Sequence, residues 1–381
     1  MTSLLGLLAA LCMMHVLFSV SHAINFTNAR SRVYVDVNEK RPANYSDIHS
    51  VQIHWGSRDD YVALRFLGHG KYGDTFEAIR TRDNQVCALK VLRRTMSSYR
   101  IRREVKALRN LREGPNIVQL LDVVSDDEGL KKSFVFEYVN NTSYRRLYES
   151  FTDYDVRYYI FQVLKALDYA HSNGIMHRDI KPENLAIDHQ NRKLRVIDWG
   201  SGEYYRPGKL YSTMVSTPGY RGPELAVGLR KYPYDYSLDI WSLGCTLADI
   251  LFQELPFFHG EDRAFQLVWI AKVLGTDRLF EYLARYDIQL NPRVTRELKA
   301  VAQHQRKPWA TFISPRNKGL ISHDAFHLLD RMLLYDPRER ISAREAMDHP
   351  YFALVRAQAG AAWAAPSGES VTSTINGSGF G

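Results

Sequence analysis

His177-Arg178-Asp179-Ile180-Lys181-Pro182-Glu183-Asn184, followed downstream by Asp198-Trp199-Gly200, is the stretch from which the rest of this chain can be read. It sets two carboxylates, an amide and an ammonium at the spacing that phosphoryl transfer from a Mg²⁺-bound nucleotide requires. Asp179 is placed to orient a substrate hydroxyl and accept its proton, and Lys181 to neutralise charge on the moving phosphoryl group. Asn184 and Asp198 offer the hard oxygen ligands that Mg²⁺ takes. A lone H-R-D triplet would read as a charged surface loop. An ordered run from His177 to Asn184, with D-W-G at the right distance, does not.

Upstream, Leu67-Gly68-His69-Gly70-Lys71-Tyr72-Gly73 fits G-x-G-x-x-G inside an alternating, strand-like run from Tyr61 to Ala78. Such a hairpin lets backbone close over phosphates without Cβ obstruction. The same spacing serves dinucleotide folds, but those need a helix opening at the last glycine. Here a second strand follows, and then a third, Val86 to Leu92, carrying Lys90 where a lysine would hold α- and β-phosphates. A basic, helical segment from Tyr99 to Leu111 carries Glu104, the expected ion-pair partner that aims Lys90 at the nucleotide.

Downstream, Glu224 in Gly222-Pro223-Glu224 expects a buried partner in Arg340, and Asp239 in Asp239-Ile240-Trp241-Ser242-Leu243-Gly244 is expected to bond the backbone of the catalytic loop. These three roles are structural. Thr217, together with Lys181 two positions after Asp179, resembles the arrangement of serine/threonine protein kinases. The fold class expected is α+β and bilobal: a small antiparallel sheet with one regulatory helix, joined to a larger, mainly helical lobe.

One family is resembled more closely, the catalytic (alpha) subunit of casein kinase II, from about Arg32 to Phe352. The likeness rests on Arg32-Val33-Tyr34-Val35-Asp36-Val37-Asn38, Trp55-Gly56, Asp59-Asp60-Tyr61, Gly70-Lys71-Tyr72, Gly114-Pro115-Asn116-Ile117 and Val139-Asn140-Asn141-Thr142. Ile187-Asp188-His189 and Asp198-Trp199-Gly200 add weight, since most kinases have Phe where Trp199 stands. The resemblance implies ATP and Mg²⁺ as cosubstrates, protein Ser/Thr as acceptor, and a nonspecific serine/threonine kinase activity. It places the nucleotide against Leu67, Gly68, Gly70, Gly73, Thr75, Ala88, Lys90, Glu104, Glu137, Val139, Ala186 and Ile197, and the acceptor against Thr217 and Arg221. It also implies activity set by an N-terminal segment packed on the activation segment (here the stretch between Asp198 and Glu224), preference for acidic targets, and a regulatory beta-subunit dimer as partner.

Several positions depart from that family. Met214 and Pro218 stand where it carries two arginines that bind the acidic residue after the target; Arg221 keeps the third basic position. Each lost contact of this kind is worth about 1.5–3 kcal/mol, so a relaxed acidic preference is expected. Glu183 replaces a catalytic-loop histidine, and Ala88 and Ala186 replace bulkier residues, which puts GTP use in doubt. Ile48 and Ser46 replace aromatics that brace the activation segment, which weakens the expectation of constitutive activity. The stretch from Leu121 to Phe134 departs in the lobe that would dock the beta subunit. The rival reading, a chain that keeps the fold only for binding, is opposed by the presence of Lys90, Glu104, Asp179, Lys181, Asn184 and Asp198 together.

The chain of 381 residues suits one two-lobed catalytic unit. Residues 1–23 hold an apolar run from Leu4 to Val20 and a Ser21-His22-Ala23 cleavage pattern, and read as a signal peptide. Secretion or a lumenal location is therefore expected, with cytoplasm and nucleus, as usual for the family, as the alternative. Membrane contact is expected only if that segment stays as an anchor. Residues 24–60 are expected to pack on the catalytic unit, 61–352 to form it (lobes 61–138 and 139–352), and 353–381 to be a disordered tail. The formal charge of +8 is spread along the chain and suits acidic proteins or polyanions; no nucleic-acid module is recognisable. Three cysteines form no disulfide framework.

Overall fold

The computed structural model describes residues 30–364, except 228–229, 261, 291 and 301–303. The signal-peptide reading of residues 1–23 lies outside them. Among the described residues, no helix is long and apolar enough to cross a membrane.

The smaller lobe is one six-stranded sheet: β1 (Gly56–Ser57), β2 (Tyr61–Gly70), β3 (Gly73–Arg80), β4 (Gln85–Leu92), β5 (Leu120–Ser125) and β6 (Lys132–Glu137), in the order β1-β5-β6-β4-β3-β2. The expected antiparallel pairing holds except at the edge, where β1 runs parallel to β5. Hairpins join β2, β3 and β4, because their connections are short and rich in turn formers such as Gly70 and Asn84, the latter at φ 56°.

Helix α1 (Ser98–Asn110) starts where the Ser97 hydroxyl accepts the Arg100 N–H. It buries Ile101, Glu104, Val105 and Leu108, one face of a 3.6-residue repeat. Glu104 is the exception on that apolar face, and its burial is justified only by a partner from outside the helix.

The larger lobe is built on two buried helices. Helix α2 (Asp153–Ser172) opens with a reciprocal cap in which Thr152 and Asp155 satisfy each other's first-turn groups. Helix α3 (Ser237–Phe252) is buried from Leu238 to Phe252, a mostly apolar helix whose buried acids Asp239 and Asp249 each find hydrogen-bond donors. Around them pack α4 (Arg263–Leu274), the helix His323–Met332 and shorter turns. One apolar core runs through both lobes, from Val105, Leu108 and Phe134 to Leu164, Leu243 and Leu329. It fixes the lobes against each other, so the residues between them share a rigid frame.

Residues 30–55 lie across the back of this frame. Ser31 N–H donates to the Tyr205 hydroxyl at 2.8 Å, and Asn38 Nδ2 donates to the carbonyls of Gly174 and Tyr205 at 2.7 and 2.8 Å. At the other end, the expectation of disorder from Ala353 onward is corrected: a helix spans Ala353–Ala364, with Val355 in the core. Pro350 sets the preceding turn and the alanine-rich run then favours helix, although its sequence lacks apolar periodicity. Residues 365–381 lie outside the described set. Cys87 and Cys245 are buried free thiols in different lobes, as expected.

Candidate active site

The roof of the site is the β2–β3 hairpin. Gly70 pairs with Gly73 across the Lys71-Tyr72 turn. A Cβ on Gly73 would stand 2.3 Å from the Val91 carbonyl oxygen, so only glycine lets β3 lie this close to β4. At Gly68 a Cβ would meet nothing within 4 Å, which leaves backbone open to a ligand. Leu67 sits half-exposed in the irregularity between Phe66 and Gly68. Thr75 is in register with Lys90, and Ala88 lies two residues before Lys90 on the same face. That face looks toward the larger lobe, because Lys90 reaches it.

Lys90 Nζ stands 3.1 Å from Glu104 Oε1 and 3.1 Å from Asp198 Oδ1. Burial alone would lower the lysine's pKa, but the two carboxylates outweigh it and hold the ammonium protonated, well above its ordinary value. Burial likewise opposes ionisation of Asp198, and Lys90, with His177 and Lys181, keeps that carboxyl below the usual range. Burial lifts the Glu104 carboxyl against the pull of Lys90. Asp198 adopts a left-handed conformation (φ 58°, ψ 62°), which aspartate tolerates, and this turns its side chain toward Lys90. Gly200 must follow, since a Cβ there would come 2.9 Å from Glu104 Oε2. The Gly200 carbonyl accepts from Arg103 at 2.6 Å, tying the D-W-G turn to α1.

The catalytic loop is held from beneath. Asp239 accepts the backbone N–H groups of His177 and Arg178 at 2.8 and 2.7 Å, and meets His171 Nε2 at 2.9 Å. These donors keep a fully buried carboxyl ionised against the cost of burial. The His177 ring is oriented by its own two bonds. Its Nε2 faces the Ile197 carbonyl at 3.0 Å and therefore carries the proton, while Nδ1 accepts the Asp179 N–H at 3.2 Å. Trp199 stands edge-on to this ring at 4.6 Å and donates its indole N–H to the Val196 carbonyl.

On this base the loop presents its chemistry. Asn184 Nδ2 donates to the Asp179 carbonyl at 2.7 Å, so the amide oxygen is the atom left for a cation. Lys181 Nζ lies 3.3 Å from Asp179 Oδ2. Thr217 joins them: its hydroxyl donates to Asp179 Oδ1 at 2.8 Å and accepts from Lys181 Nζ at 2.7 Å. Asp198 and Asn184 are hard oxygen donors beside an anchored ammonium, a set that suits Mg²⁺ and a polyphosphate.

The remaining expected residues divide. Ala186 is buried on the ladder of Leu185–Asp188 with Lys193–Val196, and Ile197, half-buried, directly follows it with its N–H bonded to the Asn184 carbonyl at 2.9 Å. Glu137 ends β6, but its carboxylate turns away to Lys193 at 2.8 Å and Arg195 at 2.7 Å; only its backbone remains to face a base. The Val139 carbonyl accepts the Asn141 N–H at 2.7 Å, which leaves the Val139 N–H as the group able to face a base. Arg221 is drawn into its own segment, donating to the carbonyls of Val215 and Ser216 at 3.2 Å each. Glu224 and Arg340, both without exposed side-chain surface, form two parallel bonds of 2.6 and 2.7 Å. Removing one partner of such a pair costs about 3–5 kcal/mol.

Residues without an assigned role in the sequence reading also shape the site. Arg178, at φ 68°, donates to the Ser201 carbonyl at 2.7 Å and the Tyr234 hydroxyl at 3.0 Å, and so holds the activation segment. Tyr45 stands edge-on to Tyr204, its ring 5.8 Å away, and donates to the Asn173 carbonyl at 2.9 Å. The brace expected to be thin at Ser46 and Ile48 is supplied one position earlier, with Ser46 Oγ accepting from Arg206 at 2.9 Å. The H-R-D triplet itself was the available signal for Arg178. For Tyr45 none exists, since a single tyrosine in a Pro-Ala-Asn-Tyr-Ser turn has no pattern around it.

Residues 61–352 match the family model of the protein kinase domain.

Proposed function

The chain belongs to the protein kinase family, and on that premise we propose that it is a serine/threonine kinase, related to the alpha subunits of casein kinase II, that phosphorylates protein substrates from Mg²⁺-ATP. The observation that carries the acceptor class is the Thr217 hydroxyl bridging Asp179 and Lys181. Thr217 and Lys181 bracket the carboxylate so that a short aliphatic hydroxyl entering beside them can reach Asp179.

Lys90 would hold the nucleotide phosphates, and Asp198 with Asn184 the metal. Mg²⁺, when bound, supplies charge neutralisation on the phosphates. Asp179 accepts the proton as the acceptor oxygen bonds to the γ-phosphorus and the bond from that phosphorus to the bridging oxygen breaks. Lys181 offsets the negative charge spread over the transferring group. Asp239 and His177 keep the loop from moving while this happens, a positioning role.

The Arg178 contacts and the Tyr45–Tyr204 brace support activity without phosphorylation of the activation segment. The withdrawal of Arg221 onto two carbonyls supports a relaxed preference for acidic targets.

The test is phosphate transfer from Mg²⁺-ATP to a mixed Ser, Thr and Tyr peptide set, comparing the wild type with Lys90→Met and Asp198→Asn. Transfer to Ser and Thr by the wild type alone is expected. Equal labelling by all three proteins, or labelling of Tyr alone, would overturn the reading.

A further inference from the structure

Asn-X-Ser/Thr triplets begin at Asn25, Asn44, Asn140, Asn141 and Asn376, and phosphoryl transfer has no use for them. In a chain that enters the secretory pathway, such a triplet on a surface loop accepts an N-linked oligosaccharide. Those at Asn44, Asn140 and Asn141 fall among the described residues, and the fold treats them differently. Asn140 and Asn141 follow Val139, whose N–H is the group able to face a base. Asn141 Oδ1 accepts the Ile187 N–H at 2.8 Å, and the Thr142 N–H donates to the Ile187 carbonyl at 3.0 Å. Both triplets are thereby tied to the ladder that carries Ala186. An oligosaccharide on either would stand at the edge where a base must enter.

Asn44 is placed otherwise. It is exposed in the short 3₁₀ turn Ala43–Tyr45, with Arg41, Pro42, Ala43 and Asp47 exposed around it. Successive side chains in such a turn point about 120° apart. Tyr45 takes the inward direction, its ring against Tyr204 and its hydroxyl on the Asn173 carbonyl, so Asn44 points away from the activation segment. The turn is held by bonds in which the Asn44 amide takes no part. The Tyr45 N–H donates to the Pro42 carbonyl at 2.8 Å, and the Ser50 hydroxyl to the Asn44 carbonyl at 3.2 Å. Asn110 Nδ2 donates to the Tyr45 carbonyl at 2.8 Å. A substituent on Asn44 Nδ2 therefore breaks no contact of the folded chain.

Resting on the signal-peptide reading of residues 1–23, we propose that Asn44 carries an N-linked oligosaccharide on the outer side of the Tyr45–Tyr204 brace, while Asn140 and Asn141 stay bare. Asn44 Nδ2 displaces a diphosphate from the anomeric carbon of a lipid-diphosphate-linked oligosaccharide. The N–C bond forms, the C–O bond breaks with its electrons passing to the diphosphate, and one amide proton goes to a base on the transferring enzyme. The sugar is added as the chain emerges, before Ser46 meets Arg206, so the Ser46 hydroxyl is open to recognition at that stage. After folding the same hydroxyl accepts from Arg206 at 2.9 Å and the glycan stands in solvent. The nucleotide cleft and the acceptor side of Asp179 are left clear.

The test expresses the full chain from Met1 in eukaryotic cells and treats the purified protein with peptide N-glycosidase in heavy-oxygen water. This leaves a heavy aspartate, read by mass spectrometry, wherever an asparagine carried a glycan. Label at Asn44 and none at Asn140 or Asn141 is expected. Asn44→Gln and Ser46→Ala should each run lighter by one glycan. Ser46→Thr, which keeps both the triplet and a hydroxyl for Arg206, should run as the wild type does. Phosphate transfer by Asn44→Gln should equal that of the wild type, which shows that the variant folds. A chain cleaved near Ala23 whose Asn44 is unlabelled overturns the proposal and leaves the signal-peptide reading standing. A chain that keeps Met1 and carries no glycan overturns both. Label at Asn140 or Asn141 in protein that transfers phosphate overturns the exclusion beside Val139.

Discussion

Tyr45 of the N-terminal segment and Tyr204 of the activation segment meet edge to face, with ring centroids 5.8 Å apart. Asn110 Nδ2, at the end of α1, bonds both the Tyr45 carbonyl and the Tyr204 hydroxyl, at 2.8 and 2.9 Å. One amide thus ties the helix that carries Glu104 to the segment that carries Thr217. The contact joins the two segments by ring packing and neutral hydrogen bonds.

Replacing Tyr45 should therefore loosen the site without touching its chemistry. Tyr45→Ala loses the ring contact and the bond to Asn173, and a loss of about 1–3 kcal/mol in stability is expected. Tyr45→Phe keeps the ring and should lose about 0.5–1.5 kcal/mol. Urea unfolding measures both, and phosphate transfer should fall with Ala more than with Phe. Equal stability of Tyr45→Ala and wild type would show the brace to be idle.

Thr217 should behave as a positioning residue. Thr217→Ala removes the hydroxyl that orders Asp179 and Lys181, and a drop of about ten- to hundredfold in kcat is expected, with KM for ATP little changed. Thr217→Ser keeps the oxygen and should retain most of the rate. A serine variant as impaired as the alanine one would mean that the methyl group, not the hydrogen bonds, matters.

Asp249 should give stability a pH slope of known sign. Burial, with Glu183 and Glu254 adding repulsion against the bonds from Phe257 and Tyr220, raises its carboxyl to about 8. The folded protein keeps a proton there that the unfolded chain releases near pH ~4. Stability contributed by this group is therefore full below that value and is lost as pH rises toward 8. Asp249→Asn lacks the slope, so its stability relative to wild type should improve with rising pH, by up to about 1.4 kcal/mol per pH unit. Unfolding curves at about pH 5 and about pH 8 that differ by the same amount between the two proteins would rule this out.

Much of the site is readable along the chain because its chemistry is local. His177 to Asn184 form one loop, and part of what orders it links residues only a few positions apart, as Asn184 to Asp179 does. The Lys90–Glu104 pair is readable for a similar reason: strand and helix periodicity each mark which face their residue occupies, and the two elements adjoin in sequence. Glu137 and Arg221 are less so. Their expected positions depend on which way a side chain turns, and Lys193, Arg195 and the Val215 and Ser216 carbonyls decide that.

By itself, then, the sequence determined the reaction's parts list: the glycine hairpin, Lys90 with Glu104, the loop with Asp179, Lys181 and Asn184, and Asp198. Only the tertiary structure decided what surrounds that list. The Tyr45–Tyr204 brace, the Arg178 contacts, the Thr217 bridge in its actual form, and the Tyr220–Asp249 bond all join residues from separate elements. Their partners are selected by packing of the common core, whose contacts are short-ranged in space but carry no fixed spacing in sequence. A motif records what must be near in the chain; these pairs are near only because the fold brings separate elements together.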